Sequence, residues 1–105
     1  MLRGEIRWYR FAGPDKMRPV LVLTRDSILD LLGEVTIAPV TSTIRDIPSE
    51  VLLTEEDGMP RPCAVNLDHV QTVPKAKLGA LITSLLPERM REVRAALLFA
   101  LDFAE

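Results

Sequence analysis

Cysteine and histidine are nearly absent: Cys63 and His69 are the only ones in the chain. A single thiol excludes an intrachain disulfide framework and a multi-cysteine zinc site, and it fits a reducing compartment. With one imidazole, and no carboxylate pair at ligand spacing, no convincing set of metal ligands remains. The five glycines are scattered singly, so no phosphate-cradling loop is present, and no nucleophile-elbow pattern surrounds any serine. The chain offers no cofactor motif. No apolar run approaches a transmembrane span, and Met1-Leu2-Arg3-Gly4-Glu5 lacks a signal-peptide core. A cytoplasmic protein without a membrane partner is the expectation. Neither sign of charge prevails: 13 Lys and Arg face 15 Asp and Glu, a net −2. Bulk charge therefore argues mildly against a nucleic-acid partner. Its distribution argues the other way. Arg3, Arg7, Arg10, Lys16 and Arg18 crowd the first 18 residues, where the acids are Glu5 and Asp15. Such crowding permits a basic face on an acidic protein.

At 105 residues, 48% of them hydrophobic, the chain is sized for one domain over residues 1–105 with one modest core. Gly4 to Phe11 alternates, with Ile6 and Trp8 on one face and Arg7 and Tyr9 on the other, which predicts a strand. Ala12 to Met17 reads as a loop. Val20 to Leu23 is a short apolar run, predicting a strand from Pro19 to Thr24 buried on both faces, with Pro19 at its first residue. Arg25 to Leu32 reads as a short helix or an irregular loop. Further strands are predicted at Glu34–Val40, stopping or bulging at Pro39, then at Glu50–Thr54, Cys63–Asn66 and Gly79–Leu85. Thr41–Pro48 and Glu55–Pro62 are loops, the second a solvated turn. Asp68–Val73 is either extended or a tight turn, and Pro74–Lys77 a helical turn. From Pro87 onward, Met90, Val93, Leu97 and Leu101 form a one-sided helical stripe that Leu98 and Phe99 widen. A wide core stripe is the preferred reading of it, and a dimer contact the second. Many short strands and one convincing helix predict a mainly β, α+β fold: a small bent antiparallel sheet or barrel with a C-terminal helix.

Arg18 stands one residue before Pro19, at the mouth of a predicted strand. That suits a guanidinium held still with its fork toward a phosphate, although a solvated residue ending a turn is the favoured reading from this stretch alone. A second stretch, Ala38-Pro39-Val40-Thr41-Ser42, shifts the balance. Together with Gly4-Glu5-Ile6, Arg18-Pro19-Val20-Leu21-Val22-Leu23, Val65 to Val73 and the Pro87 to Val93 helix start, it resembles the MazF/PemK family of toxin ribonucleases. The stretches follow the family's order and approximate spacing over nearly the whole chain.

The resemblance implies an SH3-like barrel of the CcdB/PemK type, usually a homodimer. It implies sequence-specific, metal-independent cleavage of single-stranded RNA, and inhibition by a MazE-like antitoxin. The family's catalytic pair maps onto Arg18 and Thr41. Without a metal, the substrate's own 2′-OH attacks the adjacent phosphate to give a 2′,3′-cyclic phosphate and a 5′-OH end. A fixed guanidinium and a hydroxyl donor stabilise the charge that this transition state gathers. Guanidinium groups rarely release a proton, so electrostatic stabilisation is the expected role of Arg18. Thr41 alone would read as a hydroxyl capping its own loop. Asp15, Asp68 and His69 are the candidates for base or groove residue. Asp68 reads equally well as a turn-capping aspartate, and for His69 a satisfied or surface histidine is the preferred reading. Arg7, Arg10, Lys16, Ser42 and Arg45 are the candidate RNA contacts, with stacking on Trp8 or Tyr9, although a lone Trp is more often core. A non-enzymatic gyrase poison of the CcdB kind and a degenerate binding barrel are the alternatives. The first depends on a C-terminal Trp-Gly-Ile, and this chain ends Asp102-Phe103-Ala104-Glu105.

Overall fold

The computed structural model describes residues 1–13 and 17–103. Seven strands run β1 (Glu5–Arg10), β2 (Met17–Val22), β3 (Glu34–Thr41), β4 (Glu50–Leu53), β5 (Cys63–Asn66), β6 (Gln71–Pro74) and β7 (Leu78–Ser84). They form one antiparallel sheet in the order β4-β5-β3-β2-β1-β7, with β6 pairing β3 off that path. A one-turn helix, α1 (Asp26–Leu29), follows β2, and α2 (Pro87–Ala100) closes the chain with Pro87 in its first turn. The expected mainly β sheet with a C-terminal helix is therefore what forms. Among the described residues no helix is long and apolar enough to cross a membrane.

The alternation of β2 explains its burial on both faces. Leu21 enters a core with Ile6, Val40, Leu53 and Val65, which α2 covers with Val93 and Ala96. Val20 and Val22 point the other way, to a second core with Tyr9, Leu29, Ile37 and Val73. Tyr9 is thus core, edge-on to Phe11 with ring centroids 4.8 Å apart, rather than a stacking platform.

Both prolines lie inside strands, which corrects the expectation. Pro19 is the third residue of β2, because Met17 and Arg18 pair with Arg10 and Tyr9 of β1. β3 continues through Pro39 because it changes partners there. It pairs with β6 through Ile37, with β2 through Pro39, and with β5 at Val40 and Thr41. A missing N–H is tolerated where one ladder gives way to the next. The segment 25–32 is helical for one turn only. Asp68–Val73 divides between a 3₁₀ turn at Leu67–His69 and β6. On α2 the core stripe is narrower than expected: Phe99 and Leu101 are 60% and 55% exposed.

Candidate active site

β2 opens on Met17 and Arg18, and β3 closes on Thr41 beside it. The β2–β3 register pairs Val20 with Pro39 and Leu21 with Ala38. Counted two residues outward, it sets Arg18 across from Thr41. Two adjoining cavities confirm the convergence. One, of about 170 Å³, is lined by Arg18, Thr41, Trp8, Met59, Pro60 and Arg61 among others. The other, of about 390 Å³, is lined by Arg18, Thr41, Thr43, Arg45, Asn66 and His69 among others. Arg18, Val40, Thr41 and Ser42 form the shared wall, and neither lining contains a carboxylate among the described residues.

The hydrogen bonds decide what each group is free to do. Arg18 and Arg61 are exposed, and among the described residues neither guanidinium has a hydrogen-bond or ion-pair partner. The Thr41 hydroxyl oxygen accepts the Thr43 N–H at 3.1 Å. It therefore does cap its own loop, and the same bond fixes the hydroxyl while leaving its proton to donate. Arg45 is held loosely: its N–H donates to Glu50 Oε1 at 2.9 Å and its guanidinium lies 3.5 Å from Oε2.

Asn66, 6% exposed, organises the far cavity. Its Oδ1 accepts the Asp68 N–H at 3.0 Å, so its Nδ2 is the donor to His69 Nδ1 at 3.2 Å. On this hydrogen-bond assignment a neutral imidazole carries its proton on Nε2 and meets a ligand as a donor. Asp68 accepts the buried Ser49 hydroxyl at 2.6 Å and lines neither cavity. Arg7 is committed to Glu5 at 2.8 Å and to the Gly79 carbonyl at 2.9 Å, while Arg10 is exposed at the end of β1; both lie outside the two linings. Asp15 and Lys16 lie outside the described residues. Among those described, no group of three or more His, Cys, Asp or Glu is placed to hold a metal ion.

This site can be set beside known proteins. Residues 2–101 match the family described as PemK-like, MazF-like toxin of type II toxin-antitoxin system. The chain belongs to the PemK/MazF toxin family. The probable endoribonuclease MazF2 of Mycobacterium tuberculosis is 43% identical to it over 93 residues, which are 88% of this chain and 89% of that protein. Among solved structures, the Mycobacterium tuberculosis toxin MazF-mt6 superposes with a TM-score of 0.88 at 35% identity, covering 96% of this chain and 99% of its own. A mycobacterial endoribonuclease in complex with its cognate antitoxin gives a TM-score of 0.89 at 25% identity, covering 100% of this chain and 98% of its own.

What the sequence reading of this PemK/MazF toxin missed is the β4–β5 connection. Read as a solvated turn, it supplies Met59, Pro60 and Arg61 to the smaller cavity. The connection is pinned from three sides. Asp57 Oδ2 accepts the Thr54 N–H at 2.9 Å, its Oδ1 meets Arg89 of α2 at 2.9 Å, and its carbonyl accepts the Thr83 hydroxyl of β7 at 2.9 Å. The Arg89 hydrogen bond holds the Asp57 carboxyl below its ordinary value, against a smaller opposing effect of burial. The available signal was Pro60-Arg61-Pro62, an arginine between rigid neighbours, the same logic that singled out Arg18. Cys63 sits in the wall of this cavity. Burial, reinforced by Asp57 and opposed by Arg61, pushes its thiol up, so at neutral pH it is a protonated wall residue and not a nucleophile.

Proposed function

We propose that this chain, an endoribonuclease of the MazF type, cuts single-stranded RNA in the cytoplasm at specific sequences, without a metal, through its Arg18 and Thr41 side chains. One observation carries the reading: a groove whose lining, among the described residues, holds no carboxylate, and in which a guanidinium with no described partner and a fixed hydroxyl share one wall. A phosphodiester is the ligand such a wall fits. Both groups donate, neither is consumed by the fold, and nothing described in the lining repels an anion.

In the proposed reaction the 2′-oxygen bonds to phosphorus as the bond from phosphorus to the 5′-oxygen breaks. The products are a 2′,3′-cyclic phosphate and a 5′-OH, the 2′-OH proton passing to an acceptor while water supplies the proton that the departing 5′-oxygen takes up. Arg18 faces the non-bridging oxygens as they gain charge, and Thr41 donates to one of them. His69 extends the donor set through Nε2–H. With its Nδ1 occupied by Asn66, it has no free lone pair in this arrangement with which to take the 2′-OH proton. Asp68 is committed to Ser49. Asp15, three residues before Arg18 in the chain, is the remaining candidate acceptor. Ser42 and Arg45 would grip the RNA backbone beside the scissile phosphate.

A MazE-like antitoxin and a second copy of the chain complete the proposed partners. The antitoxin is supported by the related endoribonuclease solved with its own. The second copy is supported by the apolar side chains that α2 leaves exposed at Phe99 and Leu101.

The test is incubation of the purified protein with a long RNA in EDTA, followed by mapping of the ends. Cyclic-phosphate ends are expected, with kcat falling about 10²- to 10³-fold on Arg18→Ala and largely restored to a Thr41→Ala enzyme by serine at that position. The Arg18 result must come from a variant that keeps its melting temperature. Intact RNA with trapped gyrase–DNA complexes would instead indicate the non-enzymatic poison. An Asp15→Asn enzyme with an unchanged rate would remove Asp15 as acceptor.

A further inference from the structure

The two cavities that meet at Arg18 and Thr41 differ in chemistry. The larger is walled by hydroxyl, amide, imidazole and guanidinium groups at Thr43, Asn66, His69 and Arg45. The smaller is walled by Trp8, Met17, Pro19, Met59 and Pro60, with Arg61 as its cation away from the shared wall. A ribose-phosphate chain suits the first. Walls that are about half carbon, with the Arg61 guanidinium among their polar groups, do not suit a phosphate, which would lose hydration against thioether and proline carbons. They suit a flat heteroaromatic ring with carbonyl oxygens on its edge, because single-stranded RNA is read by splaying bases onto aromatic and apolar surfaces and hydrogen-bonding their edges.

We propose that the smaller cavity is the pocket for one pyrimidine base next to the scissile phosphate, and that Arg61 is a specificity-determining residue donating to that base's carbonyl oxygen. This rests on the ribonuclease reading above and deepens it.

Size selects the class of base. An apolar cavity of roughly 150 Å³ accepts benzene, a single six-membered ring. At about 170 Å³ this open-mouthed pocket covers one ring, while the fused second ring of a purine would be left outside it without wall contacts. The wall beside Arg61 is held against widening, since Asp57 is tied to Thr54, Arg89 and Thr83 and residues 60 and 62 are prolines. Arg61 has no intramolecular partner among the described residues, so engaging a base breaks nothing.

Two measurements separate this proposal from the reading beneath it. The first maps cut sites on a randomised RNA. The wild type is expected to select a pyrimidine at one position flanking the cut. Arg61→Lys, which keeps the charge but loses the planar fork, is expected to lose about 5- to 100-fold of that discrimination while selection at the other positions stays. The second uses Trp8, the only tryptophan in the chain, as a built-in reporter. Cleavage-resistant 2′-O-methyl oligopyrimidines are expected to quench its fluorescence at lower concentration than oligopurines, and Arg61→Ala to remove the difference. Cutting with a purine, or with no preference, at the flanking positions, or discrimination untouched by both Arg61 variants, overturns the pocket and leaves the ribonuclease standing. Pyrimidine-selective quenching that needs Arg61, in a protein that cuts no RNA, leaves the pocket standing and overturns the ribonuclease.

Discussion

Gly58→Ala is the substitution whose consequence the structure sets most narrowly. Gly58 ends the 3₁₀ turn Glu55–Asp57 with φ +93°, and a Cβ built there would lie 2.3 Å from Thr83 Oγ1 and 2.8 Å from Thr83 Cβ. Two costs add. Placing a side chain in the left-handed region costs about 1–2 kcal/mol. Forcing the contact costs about 1–3 kcal/mol, since Thr83 is held by its own hydrogen bond to the Asp57 carbonyl at 2.9 Å. A loss of about 3 kcal/mol in urea unfolding, with the m-value unchanged, is expected. The melting midpoint is expected to fall by more than about 8 °C. The steric part is separable. In a Thr83→Ala background the 2.3 Å contact disappears while the 2.8 Å one stays, so the Gly58→Ala penalty should shrink by about 1 kcal/mol or more. A penalty below about 1 kcal/mol in the wild-type background would refute the geometry. A penalty identical in both backgrounds would refute the clash as its cause.

The Asp57–Arg89 pair predicts an acid-sensitive contribution. Because the folded-state carboxyl lies below its ordinary value, its stabilisation is full above the usual carboxylate range and is lost as pH falls through the lower folded value. The stability excess of wild type over Arg89→Ala should therefore be larger at pH 7 than at pH 3 in urea titrations, and an excess independent of pH would contradict the pairing. Ser49→Ala should cost about 1 kcal/mol through the lost bond to Asp68, and Asp68→Asn should leave the rate of RNA cutting within about threefold. A tenfold slower Asp68→Asn enzyme of unchanged stability would return Asp68 to the candidates for base. With Arg18 and Arg45 as the proposed backbone contacts, the logarithm of RNA affinity should fall against the logarithm of salt with a slope of about −1 to −2. A flat dependence would mean that the groove does not meet phosphates.

Strands were legible in this sequence wherever both alternation and a boundary residue were present, as at Ile6–Tyr9 and at the apolar core of β2. They were least legible at the prolines. A rule that sends Pro to a strand's start or end misplaced Pro19 and Pro39, because a strand that changes partners keeps going where one ladder stops. The convergence of Arg18 with Thr41 followed from two motifs whose strands pair. Register, which one sequence does not display, is what sets them face to face. The committed states of Arg7 and Asp68 were invisible for the same reason. Gly79 lies 72 residues from Arg7 and Ser49 lies 19 from Asp68, and only tertiary contact brings such partners together. Arg61 was passed over because an acidic, proline-rich segment resembles a solvated turn until its anchors on α2 and β7 are known.

β3 has a further consequence, for timing during synthesis. Its Thr41 end is clasped by β5, its opposite end by β6, and its middle by β2, so residues from Met17 to Pro74 must all be in place before the strand is secure. Such long-range closure comes late in folding. A ribosome-bound chain short of Pro74 therefore carries Arg18 and Thr41 as ordinary, uncoupled side chains. On the role proposed for Arg18 and Thr41, cutting therefore starts only once the chain has been made past Pro74, and any opening of that one strand stops it again.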